Sequence, residues 1–358
     1  MTTVLDLPQL YTKPSAETLL QTLTLLTSAP RPWDRSDVEN EHDTPDAPVQ
    51  VNPQGVTRYL TSVVSSSLRW IDDDEAKEEI WNQASIRLSE RSGRAAMGAI
   101  SRTFRIPTSA ASFELDIHEP ALTGDDLGLK TWAASYLLAK RLHTLALVRP
   151  NMQHKPRVLE LGSGTGLVGL AMAGLGADVV LTDMSSIHPN LARNAETNAP
   201  TVAAGGGSAR TGVLDWTNPT VCELHSGGAD DSESINITSK FPLILAADSL
   251  YSPEHPRMLV DTIEIWLSGE VDAKVVVEFP YRDAYLPEIA TFRDRMSGLS
   301  LEILEEGEEN GYDDWGSNDA NGDPDEDFVV TCWWSIWGRR TPNGASNSAE
   351  RTKSRDCC

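Results

Sequence analysis

The stretch VLELGSGTGLVGLAMAG at residues 158–174 runs an apolar segment into Gly162, Gly164 and Gly166 and then into a second apolar segment. A short apolar run bounded by turn residues reads as a buried strand, and the longer apolar run after it reads as a helix packed back on that strand. Gly162 and Gly164 permit a tight turn and close approach of a ligand, and the helix that follows offers its unpaired N-terminal amides. Two readings stay open at this point. Gly164, Gly166 and Gly169 also satisfy G-x-G-x-x-G, with Asp183 near the distance expected of a ribose-binding acid in a dinucleotide fold.

Outward from this stretch, apolar strands alternate with helical segments, the pattern of a parallel sheet covered on both faces. The expected strands are 158–161, 178–182, 211–216 (TGVLDW), 242–248 (PLILAAD), 274–279, 299–305 (LSLEILE) and 327–337, with helices near 165–174, 188–197, 254–267 and 284–296. No helix separates the last two strands, so they are expected to pair antiparallel at one edge. The fold class is therefore α/β, a doubly wound sheet of seven strands with an antiparallel last strand. SFELDIHE (112–119) alternates as a further strand, and 127–142 reads as an amphipathic helix with Trp132 near its start. Residues 223–239 and 305–327 are polar, the latter with eleven acidic residues and no Lys or Arg, and both are expected to be surface loops.

Ahead of this unit, residues 15–28, 53–69 and the segment after Asp72 to Asp74 carry apolar residues at helical spacing. Residues 1–104 are expected to form a helical extension with a flexible insert near 30–52, residues 105–340 the α/β domain, and 341–358 a disordered tail. The formal charge of −23 and pI near 4.6 exclude broad electrostatic attraction to nucleic acid or anionic membrane, and favour a partner with a basic surface. The N-terminus lacks a secretory pattern and no apolar run is long enough to span a bilayer, so the cytoplasm, and also the nucleus, is the expected compartment; a monomer is expected. Cys222, Cys332, Cys357 and Cys358 read as free thiols, and the seven histidines lack metal-ligand spacing.

Three acidic positions fall at successive strand ends, where open α/β sheets bind ligands. Glu160, two places before the first glycine, would meet a cationic amino group and repel a pyrophosphate. Asp183 would accept two ribose hydroxyls; Asp215 and Trp216 would bond and stack an adenine. Each Asp could instead be a turn or helix-cap residue, and the Trp a core residue.

The segments LGLKTW (127–132), VLELGSGTGLVGL (158–170), LTDM (181–184), VLDW (213–216) and LILAADSLYSPE (243–254) resemble the seven-strand protein-lysine methyltransferases that modify chaperones and translation factors. The N-terminal helices with RLSERSGRAAMGAISRTFRIP (87–107) resemble the extension of a fungal branch that includes elongation-factor-2 lysine methyltransferases and proteins described as glucose-inducible methyltransferases. The resemblance implies S-adenosyl-L-methionine as cofactor, held by Trp132, Gly162, Ser163, Gly164, Asp183, Trp216 and Ala247, with Asp248 and Tyr251 of a D-x-x-Y element at the transfer site. It implies a protein-lysine target, with elongation factor 2 foremost. Methylation of a small amine or another residue type, and a regulatory module without essential catalysis, are the alternatives.

A lysine nucleophile must be neutral, and from a pKa of about 10.4 deprotonation at pH 7 costs roughly 4–5 kcal/mol. An ionised Asp248 beside the amine would hold the proton on, so Asp248 is assigned to orienting the nitrogen rather than to acting as a base. Tyr251 would offer its ring face to the methylated ammonium, or simply close the pocket wall. Arg282 would border the entrance or pair with a neighbouring acid.

Overall fold

The computed structural model describes residues 3–27, 51, 55–89, 91, 98–121, 127–145, 155–225, 232–236, 239–312 and 329–339. Most of the expected insert at 30–52, residues 313–327 of the acidic stretch and the tail lie outside them. The N-terminal segments form α1 (Ala16–Leu25), α2 (Val56–Ser65) and α3 (Asp74–Ser89). Ser15 caps α1 by accepting from the Thr18 amide, and Asp73 accepts from the amides of Glu75 and Ala76 at the start of α3. Their apolar stripes meet in a core of their own, with Leu19, Leu23, Leu60, Val63, Ile80 and Ala84 buried together.

The catalytic unit begins with β1 (Ile100–Pro107), which pairs antiparallel with β2 (Ser112–Glu119). The strand β1 was not expected, and a domain border between 104 and 105 falls inside it. The main sheet contains β3 (Arg157–Leu161), β4 (Asp178–Asp183), β5 (Ser208–Val213), β6 (Val221–His225), β7 (Ser232–Asn236), β8 (Leu243–Ala247), β9 (Lys274–Pro280), β10 (Leu301–Tyr312) and β11 (Val329–Arg339). Their order is β10-β11-β9-β8-β3-β4-β5-β6-β7.

Among the described residues the sheet has nine strands rather than seven. Residues expected as a polar loop at 223–239 contribute to the β6–β7 hairpin, which extends the sheet antiparallel beyond β5. The buried Cys222 and Leu224 alternate with exposed Val221 and Glu223, enough to seat β6 on the core although its neighbours are polar. Residues 305–312 likewise continue β10 instead of leaving it as a loop, because they pair with 329–336 of β11. The reversed strand β11 lies between β9 and β10 and pairs antiparallel with each.

Helices α4 (Ala133–Arg141), α5 (Leu167–Gly174) and α6 (His188–Ala204) cover one face, and α7 (His255–Trp266) and α8 (Leu286–Gly298) the other. The chain passes from β3 outward to β4 and β5 and then crosses to β8 on the other side of β3, which opens a crevice at the carboxyl ends of β3 and β8. Among the described residues no helix is long and apolar enough to cross a membrane.

The β1–β2 hairpin is fastened to α6 by asparagines four residues apart. Asn194 accepts from the His118 amide at 2.9 Å and donates to the His118 carbonyl at 3.0 Å; Asn198 does the same with Asp116 at 2.9 and 2.8 Å. Beyond β2, the buried Glu119 accepts from the Thr131 amide at 3.1 Å and so fixes the segment that carries Trp132.

The helix α5 approaches β3 closely at Gly169, where a methyl group would stand 2.3 Å from Glu160 Oε2 and 2.7 Å from the Leu181 side chain. Gly169→Ala is expected to lower stability by roughly 1–3 kcal/mol through overpacking, read as a lower midpoint in urea unfolding.

Candidate active site

At the switch crevice lies a cavity of about 480 Å³, walled by the segment 127–135, the loops after β3, β4, β5 and β8, and the turn after β9. The size suits a nucleoside-sized ligand. The loop after β3 turns at Gly162, with φ +68°, where a side chain would press at 3.2 Å on the Trp216 ring and the Ser249 hydroxyl. Ser163 stitches this loop to β4: its amide donates to the Thr182 carbonyl and its hydroxyl accepts from the Thr182 amide, both at 2.9 Å. The Gly164 amide donates to Asp183 Oδ2 at 2.7 Å, and the Met184 amide to Asp183 Oδ1 at 2.7 Å. Each carboxylate oxygen of Asp183 thus keeps lone-pair capacity for a further donor. Burial pushes the Asp183 pKa up to about 6, against the two amide bonds that hold it down.

Trp132, Gly162, Ser163, Gly164, Asp183, Asp215, Trp216, Ala247, Asp248 and Tyr251 all line this cavity. Glu160 does not. Its side chain is buried at 2 % exposure and its Oε2 accepts from the Gly169 amide at 3.1 Å, so the expectation that it meets a ligand's amino group is corrected. The reason is the strand's two-residue alternation, which directs position 160 toward α5 beneath the loop. Burial lifts the Glu160 pKa to about 8 despite the Ser163 and Gly169 hydrogen bonds. Asp215 and Trp216 lie just beyond the end of β5, and Asp215 Oδ1 also holds a local turn by accepting from the Thr217 amide and hydroxyl at 2.8 and 2.7 Å.

Asp248 has a left-handed backbone, φ +50°, with its amide bonded to the Glu278 carbonyl at 3.0 Å. Its carboxylate meets the fork of Arg282, Nη1 to Oδ1 at 3.1 Å and Nη2 to Oδ2 at 3.5 Å, and the guanidinium lies 5.0 Å over the Trp132 ring. Arg282 therefore both borders the cavity and pairs with an acid, the two alternatives at once. The Tyr251 ring stacks edge-on against His255 at 4.4 Å, and His255 in turn lies edge-on to Trp216 at 6.0 Å. Desolvation, then the charges of Asp183 and Asp248, push the Tyr251 phenol up to about 12, so it stays neutral at physiological pH. Burial lowers the His255 pKa below the usual imidazole value, and His255 Nδ1 bonds the Ser249 carbonyl at 3.0 Å.

Sequence reasoning missed His255, Lys130 and Tyr285, which also line the cavity. The only sequence cue for His255 is its place four residues after Tyr251, one turn on at the start of α7. Lys130 sits between Leu129 and Thr131, and its amino group donates to the Pro120 carbonyl at 2.8 Å.

The sheet order, the glycine loop and the acid-lined crevice place the chain among doubly wound α/β domains with a ligand site at the switch point. The chain belongs to the lysine methyltransferase family, whose profile matches residues 109–285. It is 28 % identical over 333 residues to protein-lysine N-methyltransferase rrg1 of Schizosaccharomyces pombe, covering 93 % of this chain and 97 % of that one. It is 33 % identical to protein-lysine N-methyltransferase EFM2 of Saccharomyces cerevisiae over 68 % of this chain and 58 % of that one. Protein N-lysine methyltransferase METTL21A of Danio rerio is 32 % identical over 46 % of this chain and 69 % of its own length.

The raised Glu160 pKa fixes a sign for stability. A carboxyl that holds its proton to about pH 8 in the folded chain but only to about 4.5 when unfolded contributes fully below pH 4.5, and stability is lost as pH rises toward 8. Glu160→Gln removes that loss, so its stability relative to the parent is expected to rise between pH 5 and pH 8, by up to a few kcal/mol at about 1.36 per unit. Paired urea titrations at the two pH values read the difference.

Proposed function

We propose that this lysine methyltransferase uses S-adenosylmethionine as donor and methylates a lysine ε-amine on a protein whose surface around the target is basic, with translation elongation factor 2 as the foremost candidate. The observation that carries the reading is the convergence of Asp183, Trp216, Asp248 and Tyr251 on one cavity at the switch crevice. The names of the curated relatives support a protein lysine as acceptor. The exposed Glu305, Glu306 and Glu308 of β10 suit a basic partner and disfavour nucleic acid. A monomer working in the cytoplasm, with access to the nucleus, completes the proposal.

The residues fit the cofactor on two counts. In a phosphate-binding loop the Gly164 amide would face an anion; here the Asp183 carboxylate occupies it, and the same charge repels a pyrophosphate. The free lone pairs of Asp183 suit a pair of ribose hydroxyls, and Trp216 beside the Cβ-less Gly162 offers a flat apolar wall for a base. Asp215 keeps Oδ2 for the base's amino group. When bound, S-adenosylmethionine supplies a methyl already activated on a sulfonium, which leaves the protein to align the acceptor and keep water out. Asp248 orients the acceptor nitrogen. Tyr251, a neutral phenol, offers its ring face to the methylated ammonium rather than taking a proton.

Asp183→Ala is expected to weaken S-adenosylhomocysteine binding at least tenfold, about 1.4 kcal/mol, in calorimetry. Asp248→Ala is expected to hold that affinity within a few-fold and lower methyl transfer to purified elongation factor 2 about 100-fold. Mass spectrometry of the product should show methyl-lysine. Binding of NAD in place of S-adenosylhomocysteine, or label confined to small molecules in a cell lysate, would remove the reading.

A further inference from the structure

A carboxylate at the transfer point poses a problem for lysine chemistry. Next to an amine it stabilises the ammonium, and the ammonium has no lone pair with which to attack. In this protein the Asp248 carboxylate is not alone. Arg282 grips both its oxygens, at 3.1 and 3.5 Å, and Trp132 lies 5.0 Å beneath the guanidinium. The two side chains are 6 % and 26 % exposed, so the pair is only weakly screened by water.

The other titratable groups around the pair do not replace its charge. Tyr251 stays neutral, and His255, whose pKa is lowered by burial, is neutral at physiological pH. Beneath Asp248, on β9, the fully buried Glu278 is pushed well above the carboxylate range by desolvation and by Glu309, so it holds its proton. Across the cavity Lys130 and Asp183 contribute one charge of each sign, and Asp215 and Tyr285 complete the wall.

Resting on the reading of the cavity as a lysine methyltransferase site, we propose that Arg282 is a positioning residue that keeps the acceptor lysine in its neutral form. Paired with Asp248, the guanidinium offsets the carboxylate that would hold the proton on, and its own permanent charge disfavours a second cation beside it. The acceptor ammonium gives its proton to solvent on entering the site. Its nitrogen lone pair then forms the N–C bond as the methyl's bond to the donor sulfur breaks. The product nitrogen is cationic again, and the same guanidinium favours its departure. Asp248 still accepts a hydrogen bond from the neutral N–H, so orientation and deprotonation are served by two different members of one ion pair.

The test uses the full chain and a probe that does not depend on the identity of the protein substrate. An adenosine-based bisubstrate analogue carrying a short aminoalkyl chain in the place of the methyl group, labelled with ¹³C next to its amine, reports the amine's protonation by its chemical shift. In the parent complex the amine is expected to titrate about one to two pH units lower than in the Arg282→Gln complex, a 10- to 100-fold change in the proton equilibrium. Arg282→Lys, which keeps the charge and loses the fork, is expected to retain most of that depression. The acid limb of kcat/KM for methyl transfer to protein should move to higher pH in Arg282→Gln by the same interval, with recovery at alkaline pH. Equal amine titration in the parent and Arg282→Gln complexes overturns the inference, as does Arg282→Lys behaving like Arg282→Gln. Failure of the analogue to bind even the parent chain removes instead the functional reading on which the inference rests.

Discussion

The hydrogen bond from the Gly164 amide to Asp183, 2.7 Å long, decides what the crevice can hold. It joins the loop after β3 to the tip of β4, and the Ser163–Thr182 pair of bonds closes the same seam from the other side. The geometry that would otherwise cradle a phosphate is thereby turned into an acidic wall. A glycine loop at a switch point is a shape shared by many ligands; the group that fills its amide sets the sign of charge it accepts. With this seam fixed, Trp216 packs beside Gly162 as one wall of the base end of the cavity, and the transfer end is left to the loops after β8 and β9.

At that end the fold holds charge in balanced pairs. Asp248 is kept in a left-handed backbone, at a cost of about 1–2 kcal/mol for a residue with a Cβ, by its bond to the Glu278 carbonyl. The conformation delivers the carboxylate to Arg282, and Trp132 gives the guanidinium a flat surface to rest on. Trp132 is itself held by the chain from β2 through Glu119 and Thr131, so the accessory hairpin contributes to the geometry of the transfer end.

The parallel core was legible because each of its strands is a short apolar run between turn residues, and the D-x-x-Y element and the glycine loop stood at their ends. The β6–β7 hairpin was not, because Glu223 and its polar neighbours carry no run that distinguishes a half-exposed edge pair from a loop. The strand β1 was hidden by charge: Arg105 alternates with the buried Phe104 and Ile106, Arg102 shares their face beside the buried Glu119, and the stretch was read with the helical extension before it. Glu160 shows the limit for sites. Its place in sequence was suggestive, but whether a strand residue points to the crevice or to the helix beneath depends on one residue of alternation at the loop, and the close approach of Gly169 decided it. Arg282 could be weighed but not placed, since its partner lies 34 residues away on another strand's loop.

The asparagines of α6 act as a surrogate strand. A carboxamide carries one acceptor and an N–H donor, as a peptide unit does, so a helix bearing such groups can answer a strand's hydrogen-bonding pattern. The match works because four residues of helix advance about 6.0 Å and two residues of strand about 6.6–6.8 Å. That near-coincidence of periods tolerates two rungs before the offset accumulates. The third position of the series, Asn190, shows the end of the register: the residue just past β2 is Pro120, which has no amide hydrogen, and Asn190 reaches back to the His118 carbonyl at 3.0 Å. A zipper of this kind cannot be lengthened by adding residues, only repeated after a turn, and it therefore limits how much extra sheet a doubly wound domain can borrow from the side of one of its own helices.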